Sequence, residues 1–500
     1  MNGMPLPALG LINEEQLLRN YPSSPTDLDH SSFRSVDLTR KFLIVIDDDP
    51  TGSQAVADIP LLTSWQETDL HWALSLRYNA VFILTNTRSV DAETAAARNA
   101  EVVSNALKVA TRTRREISFL SRSDSTMRGY FAEETGAIID ANDAAGSVGI
   151  DATVLIPAFP DAGRITIGGV HYVRVPGGLL PVGESEFAQD VSFGFKSSDL
   201  RGYIVEKTNG GVSRESITLL DLSTVRTGAQ RISTQLLPLS DRAMVVADSV
   251  TDNDLRELAL GLALAEAEGK KFLYRTGPAF VAARLGMDRP APIQANSVLG
   301  SADDRAGGGL IVAGSHVNLT NRQLARLTQG MPELHELELS VDSIMDTLTA
   351  PKYLSMLSDK VVHSLGEGDV LLRTSRQLKV GVTARESLAI ARTVSEKLAA
   401  VVLSTVQRLR PRFVIAKGGI TSNDVAVHGL QIRRAIISGP MLQGIVSVWQ
   451  PIGGLADGIP FVVFPGNVGS ESDLLAVVRS FSSYSPTVSG TPFSQGSIRH

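Results

Sequence analysis

Leu43-Ile44-Val45-Ile46 runs directly into Asp47-Asp48-Asp49-Pro50-Thr51-Gly52. Four consecutive apolar residues read as a buried strand, and the strand ends in three carboxylates. Like charges packed this closely repel, and at least one pKa rises unless a cation is present. In α/β proteins such a cluster sits at the carboxyl edge of a parallel sheet, where ligands bind. The stretch therefore predicts both the fold class and the position of a site.

Working outward, apolar runs alternate with segments of helical period, the pattern of a parallel α/β protein. Strands are expected at Ala80–Leu84, Ile117–Leu120, Val154–Ile156, Met244–Ala247 and Lys271–Tyr274, with a long helix from about Glu93 to Arg114. Pro176 to Gly183 reads as a surface loop or flap. A second series of strands begins at Gly309 and continues at Asp369–Leu372, Arg412–Ala416 and Phe461–Phe464. Helices are expected near Thr320–Leu327 and from about Ala384 to Leu409. The expected architecture is two α/β domains, each a largely parallel sheet flanked by helices, with a cleft between them. The divisions are an N-terminal extension (1–40), a first domain (41–290), a linker (291–308), a second domain (309–481) and a disordered tail (482–500).

Composition narrows the function. The chain has 500 residues, 43% hydrophobic and 20% charged, with net charge −6. That acidity disfavours nucleic acid as a partner. The absence of cysteine removes disulfides, thiolate metal sites and cysteine nucleophiles, and fits a cytoplasmic protein. The start of the sequence has no basic, apolar leader pattern, and no run approaches the ~18 apolar residues of a membrane span.

Three segments of the second domain share one grammar of strand, glycine with Ser or Thr, then helix. They are Ala313-Gly314-Ser315, Gly418-Gly419-Ile420-Thr421-Ser422 and Gly466-Asn467-Val468-Gly469. Glycine lets backbone approach a ligand, and helix starts offer free N–H groups, so together they suit phosphate. The spacing of a P-loop is absent, as is a clean dinucleotide fingerprint. In the first domain, Arg122, Asp124, Ser125 and Arg128 share one short segment, and Arg88 and Arg164 lie near strand ends. Guanidinium groups can grip a carboxylate or phosphate, and an aspartate can take a hydroxyl proton in phosphoryl transfer. Arginines simply neutralising the aspartates are the structural alternative. Asp47-x-Asp49-x-Thr51 also resembles the opening of haloacid-dehalogenase-type phosphatases, with Thr85 and Asp248-Ser249-x-x-Asp252 as later motifs. A non-catalytic protein that binds a small anion is a third reading.

Taken in order, the motifs Asp47–Gly52, Thr87-Arg88-Ser89, Asp124–Gly129, Pro157–Arg164, Gly418–Ser422 and Gly466–Gly469 resemble the four-carbon acid sugar kinase family. The resemblance covers about Phe42 to Arg479. It implies an N-terminal sugar-acid-binding domain and a C-terminal nucleotide-binding domain. It also implies ATP-dependent phosphorylation of a terminal hydroxyl, with ATP and Mg²⁺ as cofactors and a small sugar acid as partner; a homodimer stays open. Ser315, Gly418, Gly419, Ile420, Thr421 and Gly466 match the nucleotide contacts, and Asn467 and Gly469 extend that turn. Asp47, Arg88, Arg122, Ser125, Arg128 and Arg164 are the expected substrate contacts. Asp48, Asp49 and Asp124 are the expected catalytic set, with Asp48 or Asp49 as base and cleft closure bringing substrates together. Three positions depart from the family pattern: Pro50 replaces Leu, Arg122 replaces Lys, and Ile420 replaces Glu.

Overall fold

A computed structural model describes residues 10–25, 41–299, 307–315, 317–375, 384–442 and 444–482, with only the backbone of 384–389. The expected tail beyond Ser482 lies outside them, as do 26–40 of the extension and 300–306 of the linker. The strands of the first half are β1 (Phe42–Asp47), β2 (Ile59–Leu62), β3 (Ala80–Leu84), β4 (Ile117–Arg122), β5 (Ala152–Ile156), β6 (Arg164–Ile167), β7 (Val170–Val175), β8 (Gly178–Pro181), β9 (Thr218–Leu220), β10 (Ala243–Ala247) and β11 (Phe272–Thr276). Those of the second are β12 (Leu310–Ala313), β13 (His335–Leu339), β14 (Val370–Thr374), β15 (Val414–Lys417), β16 (Arg434–Leu442), β17 (Val446–Pro451) and β18 (Phe461–Phe464).

All six residues of β1 are buried, and the strand pairs in parallel with β3 and β4. It is covered on both faces, which is why its apolar run is continuous rather than alternating. The helix Ala92–Thr113 starts where the Asp91 side chain accepts from the Thr94 N–H at 2.9 Å and ends at Arg114 in the left-handed conformation. Its buried stripe includes Val102, Val103, Ala106 and Val109, the period expected from the sequence.

The fold class is the expected α/β type, but the two expected sheets are one. A single 15-stranded sheet runs β13-β14-β12-β15-β18-β17-β16-β2-β3-β1-β4-β11-β5-β10-β9. Each half is parallel apart from β16 and β17 of the second, and the halves join where β16 pairs antiparallel with β2. Three successive antiparallel steps, from β18 to β2, reverse the strand direction between the halves. Six steps separate β15 from β1, and at ~20–25° of twist per step the sheet turns by roughly 120–150°. That rotation carries the carboxyl edges of the two halves toward each other.

The seam is heavily bonded. Ser53 Oγ donates to Ser447 Oγ and accepts from Trp449 Nε1, both at 3.0 Å. Buried Asp69 accepts from Arg433 Nη2 at 2.6 Å and from Arg434 Nε at 2.7 Å.

Two further expectations are corrected. The 176–183 stretch is not a surface flap. Its residues form β8, the edge of a three-stranded antiparallel sheet β6-β7-β8, with Leu179 and Val182 buried. Glycine there serves the turn, since Gly177 and Gly178 both have positive φ. The described part of the linker is no free tether, because Ala295, Val298 and Leu299 are buried in the second half's core. The extension is also docked: Ile12 bonds to Leu179 through the backbone, and Glu14 grips Arg174 at 2.6 and 2.8 Å.

Burial opposes ionisation of Asp69, but hydrogen bonds from Arg433 and Arg434 hold its pKa below the ordinary value. Its contribution to stability is therefore present above the unfolded pKa of about 3.9 and is lost as pH falls through the lower folded value. Asp69→Asn should lower the unfolding free energy at pH 7 by about 1–2 kcal/mol, since both arginines are partly solvated. The deficit should vanish in strong acid, as read by urea denaturation. An equal deficit at both pH values would refute the assignment.

Candidate active site

The carboxyl ends of β1, β4, β12, β15 and β18 converge on one cleft of about 970 Å³. Its first-half lining includes Asp49, Thr51, Arg88, Asp124, Ser125, Arg128 and Arg164. Its second-half lining includes Gly314, Ser315, Gly418 to Thr421, Gly466 and Asn467. Among the expected residues, Asp47, Asp48 and Gly469 do not line it.

The acidic strand end is resolved by arginine. Asp47 is buried, pairs with Arg122 and accepts the Asp49 N–H at 3.0 Å. Arg122 is also buried; it reaches Asp48 at 3.3 Å and donates to the Asp49 carbonyl, so it braces the floor of the cleft. The substrate contact expected of Asp47 is thus corrected, and Arg122 acts as a clamp with little to spare for a ligand. Its position depends on Gly52, where a Cβ would occupy the space of the guanidinium. Asp48 is buried with no hydrogen bond to either carboxyl oxygen. Burial raises its pKa, although Arg88 lies 3.3 Å away. A carboxyl that does not face the cleft cannot take a substrate proton, so Asp48 is set aside as the base.

Asp49 is different. It caps the short 3-10 helix Pro50–Ala55, accepting from the Thr51 N–H at 2.8 Å and from the Thr51 hydroxyl. Pro50 fits there because the first residue of a helix needs no N–H partner. The other oxygen of Asp49 meets Arg88 at 2.9 Å and faces Gly419, where a Cβ would lie 3.2 Å from it. The two half-sites therefore touch at Asp49 and Gly419 in the conformation described, ahead of any closure.

Asp124 accepts from Arg128 Nε at 2.6 Å and from the Thr126 hydroxyl, with Arg88 at 3.8 Å. Although burial opposes it, these arginines hold its pKa well below the carboxylate range. The loop that carries Asp124 is pinned from below. His171 Nε2–H donates to the Ser125 carbonyl at 2.8 Å, and Nδ1 accepts from Thr166 at 2.9 Å. Burial lowers the His171 pKa to about 4, so the ring stays neutral. Met127, buried with φ of 67°, marks the sharp turn of this loop.

Arg164 has no carboxylate partner among the described residues. Its Nη1 donates to the Ala162 carbonyl, and its guanidinium lies 5.7 Å from the Phe187 ring. Arg128 lies 5.4 Å from the same ring. Phe187 and His171 were not foreseen. Phe187 sits in a stretch without periodicity, and a lone histidine carries no motif.

In the second half, the three glycine turns form one cradle. A Cβ on Gly418 would lie 3.0 Å from Ser315 Cβ, one on Gly466 3.0 Å from Ser315 Oγ, and one on Gly314 2.5 Å from Thr421 Oγ1. Gly418 also has φ of 113°. Thr320 Oγ1 donates to the Gly466 carbonyl at 2.9 Å. Gly469 stands apart, turning the chain into the helix Asp473–Ser482 against Asp473. Ile420 is 58% exposed at the rim. Val317, Val341, Ile390, Val394 and Leu398 form an apolar wall beside the cradle. Sequence period identified the helix that carries the last three, but not which of its faces meets the cleft.

The cradle fits a nucleotide's phosphates, because backbone can approach closely where no Cβ intrudes. Among the described residues no three acidic or imidazole side chains converge on one point. Both oxygens of Asp49 are engaged, by Thr51 and by Arg88, whereas the bonds to Asp124 from Arg128 and Thr126 all fall on Oδ2. Among the described residues, an Mg²⁺ ion would depend mainly on the nucleotide's own phosphates for its ligands.

The phosphatase reading is also corrected. Its nucleophile, Asp47, is buried against Arg122. Its closing acid, Asp248, follows β10, four strands from β1, and accepts from the N–H groups of Gly168, Gly169 and Leu222.

Residues 43–284 match a sugar-binding N-terminal domain family, and 310–474 match a nucleotide-binding C-terminal domain family. The chain is 25% identical over 365 residues to a D-erythronate kinase of Heliobacterium modesticaldum, covering 71% of this chain and 75% of that one. A Haemophilus influenzae protein of family DUF1537 shares the fold with TM-score 0.58 at 20% identity, over 88% of this chain and all of that one. A Salmonella typhimurium LT2 structure described as a tRNA synthase gives TM-score 0.62 at 19% identity, over 88% and 99%. Among the described residues no helix is long and apolar enough to cross a membrane. The glycine cradle and the arginine-braced acid cluster lie in one matched domain each, and the chain belongs to the four-carbon acid sugar kinase family.

Proposed function

We propose that the protein is an ATP-dependent kinase that phosphorylates a terminal hydroxyl of a small, four-carbon sugar acid. The observation that carries the reading is the meeting of Asp49 with Gly419, which brings a carboxylate of the acid-binding half to the edge of the phosphate cradle. ATP lies with its base against the apolar wall and its phosphates over Gly314, Gly418 and Gly466. The sugar acid lies in the basic end. Arg164 anchors its carboxylate, because it is the cleft arginine without a carboxylate partner among the described residues, and a half-buried cation of that kind favours an anionic ligand. Phe187 closes that end between Arg128 and Arg164 and limits the length of the acid.

The chemistry follows from the division among the carboxylates. Asp49 accepts the proton of the substrate hydroxyl as its oxygen attacks the γ-phosphorus and the bond to the β-γ bridging oxygen breaks, releasing ADP. Asp124, held ionised by Arg128 and Arg88, orients hydroxyl groups rather than accepting the proton. Positioning and charge stabilisation supply most of the rate in such transfers.

ATP consumption across a panel of tetronates, beginning with D-erythronate, tests the substrate class. Turnover of none, with phosphate released from sugar phosphates without ATP, would sink it. Asp49→Asn should lower kcat by about 10²–10⁴-fold while the fold and nucleotide affinity persist. Full turnover in that variant would transfer the proton to another group. Arg164→Gln should raise KM for the acid by about 10–100-fold, the loss of a charge-assisted bond, with a smaller change in kcat. An unchanged KM would remove Arg164 from the carboxylate.

A further inference from the structure

Lys417 ends β15 immediately before the glycine turn and exposes none of its surface. Its Nζ donates to the Pro465 carbonyl and, at 3.4 Å, to the Gly466 carbonyl, and it lies 4.1 Å from the centre of the Phe464 ring. Those two carbonyl groups belong to the third turn of the cradle. The other fully buried cations among the described residues each meet a carboxylate: Arg122 meets Asp47, Arg275 meets Glu134 and Arg284 meets Glu266. Lys417 meets none within ion-pair distance among the described residues. The groups packed around it explain why. β18 offers Phe464, and the 465–470 turn offers backbone carbonyls. The helix Asn318–Gly330 offers the uncharged Thr320 and Gln323, which bond to the carbonyls of Gly466, Val468 and Ser470, while its Arg322 points out to Glu471. The helix Asp473–Ser482 offers Asp473, whose oxygens are taken by the N–H and hydroxyl of Ser470 at 2.7 and 2.5 Å. Asp424, on the helix after Gly418, is turned to Ser395.

A buried ammonium without a counter-ion is costly, and the cost falls when an anion arrives nearby. We infer that Lys417 is a positioning residue of the phosphate cradle: it holds the Pro465 and Gly466 carbonyls inward and acts as the internal counter-charge to the nucleotide's phosphates, taking up a proton as they bind. The inference rests on the nucleotide reading of the cradle. Burial draws the Lys417 pKa down to about 7, so near neutral pH part of the free protein has it uncharged. Phosphate above the turn favours the charged form and raises that value, which couples binding to protonation.

Calorimetry of ADP binding without metal, in two buffers of different ionisation enthalpy at about pH 8, counts the protons exchanged. Wild type should take up a fraction of a proton more than either Lys417→Met or Lys417→Arg, the nucleotide's own ionisation being common to all three. Lys417→Met should bind ADP about tenfold more weakly at about pH 6.5, the equivalent of one pKa unit of coupling. That gap should close as pH rises to about 9, while Lys417→Arg should keep its affinity across the range. Equal proton counts in wild type and Lys417→Met, with ADP still bound, would overturn the role of Lys417 and leave the nucleotide site standing. Failure of wild type to bind ADP would overturn both.

Discussion

The site depends on two guanidinium groups set against the acidic end of β1. Arg122 comes from the end of the neighbouring strand β4 and closes on Asp47 and Asp48 from beneath. Arg88 comes from the turn after β3 and closes on Asp48, Asp49 and Asp124 from the cleft side. Without them three adjacent carboxylates at a buried strand end would repel each other and protonate. A planar fork reaches two acceptors at once, which an ammonium does less well, so an arginine at position 122 suits a clamp. Gly52 is part of the same device, because its missing side chain is the space Arg122 fills.

That neutralisation separates acids that look equivalent in the chain. Asp47 is locked into an ion pair, Asp48 is buried and pushed toward its neutral form, Asp124 is held charged, and Asp49 is left at the cleft. Environment assigns different roles to chemically identical groups, as it does wherever carboxylates share a site. The cations divide in the same way. Arg88 and Arg122 are matched by carboxylates, whereas Arg164 and Lys417 have none within reach among the described residues. One lies at the acid-binding end and the other beneath the phosphate cradle, which are the two places where the proposed substrates bring negative charge.

The seam between β2 and β16 makes these two ends one site. Two separate α/β bodies would meet through a hinge, but a continuous twisted sheet sets the angle between their carboxyl edges. The Pro50–Ala55 turn sits on that seam, with Ser53 bonded to Ser447 and Trp449, so the segment that presents Asp49 is anchored to the second half. Asp49 consequently faces Gly419 in this conformation.

Sequence alone determined the features that depend on local pattern. β1, β3 and β18 are visible as uninterrupted apolar runs because strands covered on both faces need nothing else. The helix Ala92–Thr113 is visible through its period and caps, and the three glycine turns through their position after strands. Short strands such as β2, β9 and the β6-β7-β8 sheet stayed hidden, since three to six residues paired by distant partners leave little local signal. Tertiary structure decided the rest. The motif Asp47-Asp48-Asp49 names three candidate acids, and only the directions of the side chains and the arrival of Arg88 and Arg122 from other strands say which one faces a substrate. The same holds for the union of two expected sheets and for Phe187 and Lys417. Burial and charge pairing are relations between segments far apart in the chain, and they exist only once the chain has folded.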